Sequence, residues 1–116
     1  MILLLALLAN KAYSASYVAP PTLSQLITFY ASKYNVDENI MRKVVSCESS
    51  YRPLAVGDSG KSFGLVQIHL PSHPYVTREQ AFDPDFALDF LAKNLAKNKG
   101  KMWTCYRMHF GKLSTT

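Results

Sequence analysis

Four side chains of the types used in acid–base and sugar-binding chemistry stand close together in this sequence. Glu48 closes the segment Cys47-Glu48-Ser49-Ser50-Tyr51-Arg52-Pro53. Asp58 sits between Gly57 and Ser59, and Ser62 and Gln67 flank the apolar strip Phe63-Gly64-Leu65-Val66. Glu48 follows Val44 by four residues and Met41 by seven, which puts it on the apolar side of a helix. A carboxyl in that position is partly desolvated and lies at the negative end of the helix dipole. Both effects favour the protonated form. A carboxyl still protonated near neutral pH can donate to a leaving oxygen, as cleavage of a glycosidic bond requires. The competing reading is a Glu at a helix end pointing into water.

A glycosidase ordinarily works with two carboxyls. Asp58 is the acid placed to be the second, but between Gly57 and Ser59 it is equally a turn former, and the turn role is the preferred reading. Asp83, Asp85 and Asp89 read as capping or helix-surface residues. Ser62 and Gln67 can hydrogen-bond a sugar hydroxyl or acetamido group, or can be ordinary turn polarity. Gly64, with no side chain, lets backbone approach a ligand. Tyr51, Phe63 and Tyr75 either line a groove or fill a core; Phe63 is assigned to the core and Tyr51, which follows Glu48, to the groove. His69 and His73 are four apart, but Pro71 prevents a regular helix between them. With His109 they give no metal-ligand pattern, so neither metal nor cofactor is expected.

The elements that must hold these residues are helical. Thr22 and Gln25 form a capping box, and Leu23, Leu26, Ile27, Tyr30, Ala31 and Tyr34 recur at helical spacing, predicting a helix over 23–34 ended by Asn35. Asp37 caps a second helix whose apolar stripe is Ile40, Met41, Val44, Val45 and Cys47, with Glu48 at its end. Residues 51–62, punctuated by Pro53, Gly57 and Gly60, are loop. Residues 63–68 fit either a short strand or one tight helical turn. Thr77 and Gln80 form another capping pattern. Asp83-Pro84 starts a helix running to about Asn98. The remainder docks on the core through Trp103 and Cys105, and Trp103 is assigned to packing.

The chain has 116 residues, which suits one domain, with 13 basic and 8 acidic residues and a net charge of +5. That mild positive balance suits an anionic wall surface. The lysines between 93 and 101 have no alternating aromatics and read as a solvated helix end, which argues against nucleic-acid binding. Ile2 to Ala9 is an apolar run too short to span a bilayer but of the right size for the core of a secretory signal. Ala12-Tyr13-Ser14 offers a small-x-small cleavage pattern, so residues 1–14 are expected to be a signal and 15–116 the domain. The chain is then secreted, periplasmic or in the cell envelope. In an exported protein the two cysteines, Cys47 and Cys105, read as one disulfide; two separate buried thiols are the alternative.

The run Cys47-Glu48-Ser49…Pro53…Gly64-Leu65-Val66-Gln67 resembles the signature of SLT-type lytic transglycosylases, within the lysozyme-like group. In that family a helix ends in Glu-Ser, a Pro follows, and a Gly-Leu-Met-Gln strip closes the site. The resemblance covers roughly residues 37–95. It implies a mainly α, small lysozyme-like domain with a short irregular or β segment beside the groove. It also implies Glu48 as general acid/base, Ser62, Gly64 and Gln67 as substrate-binding, and peptidoglycan glycan strands as the partner of a monomeric enzyme. In this family the muramic acid 6-hydroxyl closes the ring, so a single carboxylate suffices. Near the C-terminus the family carries Ala-Tyr-Asn-Ala-Gly, whose Tyr points at the catalytic Glu. Here Trp103-Thr104-Cys105-Tyr106-Arg107 stands instead, with Tyr106 the candidate for the same role. The Cys before the Glu and the Trp-x-Cys also resemble the resuscitation-promoting factors. A hydrolytic muramidase using Glu48 and Asp58, and a non-catalytic glycan-binding protein, are the rival functions.

Overall fold

The computed structural model describes residues 18–111; the expected signal segment 1–14 lies outside them. The described residues are mainly helical. Helix α1 spans Leu23–Tyr34 and α2 spans Glu38–Ser49. Three two-residue strands follow, β1 Val56–Gly57, β2 Ser62–Phe63 and β3 Ile68–His69, then a 3₁₀ turn at Leu70–Ser72. Helices α3 Arg78–Phe82 and α4 Pro84–Ala96 come next, then a 3₁₀ turn at Gly100–Met102 and α5 Thr104–Phe110. The segment at 63–68 is thus neither one strand nor one helical turn. It is the hairpin joining β2 to β3, with Phe63 paired to Ile68 and Ser62 to His69. β1 pairs antiparallel on the other side of β2.

The helix starts follow the side-chain chemistry. Thr22 with Gln25, and Thr77 with Gln80, form reciprocal capping boxes. The Asp37 carboxylate accepts from the backbone N–H groups of Asn39 and Ile40, and Asp83 accepts from that of Asp85 with Pro84 at the first helical position. Asn35 ends α1 in the left-handed region, at φ 53°.

The core lies where α1, α2 and α4 meet the sheet. Ile27, Met41, Val44, Leu65, Ile68, Leu88 and Leu91 are buried at its centre. Each such side chain contributes about 1.5–3 kcal/mol by leaving water. Outside the core, α1 and α4 are tied by Tyr30 Oη donating to Asp85 (2.8 Å) and Tyr34 Oη donating to Asp89 (2.6 Å). Those two aspartates are helix-surface residues, as the sequence suggests, but each also holds a neighbouring helix. Cys47 departs from its expected place in the apolar stripe. Met41, Val44, Val45 and Ser49 take the buried positions of α2, and Cys47 is exposed. It turns to α5 and bonds Cys105, with Cα atoms 5.9 Å apart. No helix among the described residues is long and apolar enough to cross a membrane.

Candidate active site

Glu48 stands in the last turn of α2, half-buried, where the stripe of Met41 and Val44 ends. Its Oε2 accepts the backbone N–H of Cys105 at 3.3 Å, and among the described residues its Oε1 has no hydrogen-bond partner. Burial raises the Glu48 pKa above its ordinary value, and the charge of Asp58 pushes the same way. The Cys105 N–H and the Arg107 guanidinium oppose them without prevailing. The carboxyl opens into a cleft of about 220 Å³, bounded by Asp58 and Gln67 on the sheet side, by His69, Ser72 and His73, by Phe90 of α4, and by Met102, Trp103 and Thr104.

The chain reaches this cleft through tight corners. Ser50 and Tyr51, directly after α2, and Asp58, Ser59 and Gln67 all adopt positive φ without being glycine. Each such residue costs roughly 1–2 kcal/mol, and backbone of this kind gathers where geometry serves a site. The corner at Asp58 is closed by the N–H groups of Gly60 and Lys61 donating to Gly57 O, each at 3.0 Å. Asp58 is therefore a turn residue, and it also faces the cleft that holds Glu48. Ser62, fully buried in the cleft wall, donates its hydroxyl to Asp58 Oδ2 at 2.5 Å, so its proton serves the aspartate rather than pointing outward. Gln67 lines the cleft, but its Nε2 donates to Ala55 O (3.1 Å) and Gly64 O (3.0 Å), pinning the hairpin to the loop before β1. Its Oε1 lies where a side chain on Gly57 would stand, 2.3 Å from the Cβ position.

Three of the expected site residues lie elsewhere. Gly64, at φ +85°, is buried against α3; a Cβ there would come 1.8 Å from the Ala81 carbonyl oxygen. It serves packing of the hairpin on α3 and does not line the cleft. Tyr51 turns away from the cleft, its hydroxyl donating to Arg42 O at 3.2 Å, because its left-handed backbone redirects the side chain along α2. The Tyr106 ring packs over Gly100 and lines a separate hollow with Val36, Ile40 and Leu95. The residue of that segment that does line the cleft is Trp103, whose Nε1 donates to Val66 O at 2.8 Å, with Thr104 beside it. Trp103 is both packing residue and cleft wall. The sequence carries part of the signal: a Cys47–Cys105 bond brings the neighbours of Cys105 near Glu48, without saying whether Trp103 or Tyr106 lines the cleft. His73 and Phe90 carry no such local signal. Burial, and secondarily the neighbouring His69, lower the His73 pKa, so its ring is neutral near pH 7.

The family of the transglycosylase SLT domain matches this chain over residues 25–108. The chain belongs to that family. The match extends beyond the motif region at both ends, to include most of α1 and the Trp103–Tyr106 segment. No curated protein and no solved structure matches the chain. The family's activity is cleavage of peptidoglycan glycosidic bonds outside the cytoplasm, and a disulfide suits an oxidising compartment. Among the described residues no cluster of His, Cys, Asp or Glu is placed to hold a metal ion.

Proposed function

We propose that this chain is an exported, monomeric lytic transglycosylase that cleaves the MurNAc–GlcNAc β-1,4 bond of peptidoglycan, with Glu48 as general acid and then base. The observation that carries this is the half-buried Glu48 carboxyl, its pKa raised and its Oε1 without a hydrogen-bond partner among the described residues, opening into the cleft between the sheet and α5. Protonated Glu48 gives its proton to the bridging oxygen as the C1–O bond breaks, and the GlcNAc side leaves as an alcohol. The charge that builds on the muramic ring is positive, and the Asp58 carboxylate across the cleft is of the sign to stabilise it. The Glu48 carboxylate then takes the proton of the 6-hydroxyl of the same ring, whose oxygen bonds C1. The product is a 1,6-anhydro-MurNAc end. That hydroxyl is intramolecular, and such a nucleophile enjoys a high effective concentration. Export through residues 1–14, and action in the periplasm, the envelope or the medium, complete the reading.

A hydrolytic route has one specific observation in its favour: Asp58 faces the same cleft and its charge acts on Glu48. In that route Asp58 would activate a water. Its Oδ2 is already engaged by Ser62, which favours the electrostatic role. The first test is clearing of a cell-wall suspension by wild type and by Glu48→Gln. Gln keeps size and polarity but cannot cycle a proton, and loss of such action typically costs on the order of 10²–10⁴-fold. A folded Glu48→Gln protein that clears walls at the wild-type rate would move catalysis to another residue. Binding without clearing by the wild type would make the chain a glycan-binding protein.

A further inference from the structure

Four aromatic rings touch in succession from the Glu48 cleft outward, the first three of them lining it. Trp103, which lines the cleft beside Glu48, meets Phe90 edge to face with centroids 5.9 Å apart. Phe90 meets His73 at 5.1 Å, and His73 meets Tyr75 at 6.0 Å, again edge to face. The first three rings are wall residues of the cleft, buried or half-buried, and their packing explains them. Tyr75 is different. It is 74 % exposed, it does not line the cleft itself, and its hydroxyl lies 3.4 Å from His73 Nδ1. Other apolar side chains are as exposed, among them Leu54 and Met108, but Tyr75 is the one joined to the cleft wall through an aromatic contact with His73.

We infer that Tyr75 is a sugar-stacking platform, an outer subsite for a β-1,4-linked N-acetylhexosamine unit of a strand whose scissile bond lies at Glu48. This rests on the reading of the cleft as a glycan site. A pyranose ring presents C–H bonds on its faces, and the negative face of an aromatic ring attracts them. The ring is set edge to face against His73, itself a wall residue of the cleft, so a strand that leaves the cleft on the His73 side meets an aromatic face that is already positioned. His73 is neutral near pH 7, so the contact adds no charge to the path. Such a platform favours long strands over short ones, because a disaccharide seated at Glu48 does not reach it.

The test uses Glu48→Gln, so that ligands bind without being cut. Peptide-free GlcNAc–MurNAc oligosaccharides of two and of six sugars are titrated against the intrinsic fluorescence of Trp103, the single tryptophan of the chain. With Tyr75 present the hexasaccharide binds more tightly than the disaccharide. Adding Tyr75→Ala weakens hexasaccharide binding roughly three- to tenfold and leaves disaccharide binding unchanged, and Tyr75→Trp preserves the preference, read by calorimetry because it adds a second fluorophore. An unchanged hexasaccharide affinity in Tyr75→Ala, with the same melting temperature, overturns the subsite alone. Equal loss for both ligands makes Tyr75 a support for His73 and overturns it as well. Failure of both oligosaccharides to bind any variant overturns the glycan reading of the cleft, and the subsite with it.

Discussion

The disulfide between Cys47 and Cys105 joins the residue before Glu48 to the residue whose N–H bonds Glu48, and breaking it should show in stability and in chemistry at once. The bond closes a segment with a sequence separation of 58. In the chain-entropy description that removes about 4 kcal/mol of freedom from the unfolded chain. Domains of this size are stable by roughly 5–15 kcal/mol, so the crosslink is a large share. The double variant Cys47→Ala/Cys105→Ala should melt about 15–25 °C lower than the oxidised protein. Below its melting point it should still lose activity, because α5 is then free to move the Cys105 N–H away from Glu48 Oε2. A hydrogen bond to a charged group is worth about 1.5–3 kcal/mol, so the carboxylate formed after proton donation is less well held. The assay is thermal unfolding by circular dichroism with wall clearing measured in parallel at low temperature. A fall of less than about 5 °C, or full activity in the folded double variant, would refute the reasoning.

Other outcomes follow from the same geometry. Gly64→Ala should destabilise by more than about 3 kcal/mol, since it combines a left-handed backbone with a clash against the Ala81 carbonyl. Gly60→Ala, also left-handed at φ +85° but with open space around it, should cost only about 1–2 kcal/mol; denaturant unfolding compares the two. The fold raises the Glu48 pKa, so it favours the protonated acid. The associated stability is present below the ordinary carboxylate range and is lost as pH rises through the raised value. Glu48→Gln should therefore melt higher than wild type at neutral pH, and equal melting across the pH range would argue against a buried acid. In wild type, kcat/KM should fall as pH rises through the Glu48 pKa. Asp58→Asn removes a negative charge that helps hold the proton, so that limb should move to lower pH with only a few-fold loss of rate. A pH–rate profile reads both.

Much of the scaffold is legible in the sequence because its signals are local. The capping boxes at Thr22 and Thr77, the Asp83-Pro84 start and the 3.6-residue rhythm of α1 act over one or two turns. The place of Glu48 at the end of an apolar stripe is local in the same sense. What is not legible depends on backbone handedness and on contacts distant in sequence. Nothing in the letters around Tyr51 says that it adopts φ 60°, which turns it from the groove to Arg42. Gly64 looks like a residue that admits a ligand, and only the position of Ala81 in α3 shows that it admits a helix instead. Tyr106 and Trp103 differ by three residues, and which of them lines the cleft is settled by Gly100, against which the Tyr106 ring packs. Ser62 keeps the polarity the motif implies but gives it to Asp58.

The most direct test of the account is the mass of what the wild-type protein makes. Peptidoglycan digested to completion and resolved by mass spectrometry should yield muropeptides ending in 1,6-anhydro-MurNAc, each lighter by one water than its hydrolysed counterpart. A digest dominated by reducing-end muropeptides, with activity collapsing in Asp58→Asn, would contradict it and make Asp58 the partner of Glu48 in hydrolysis.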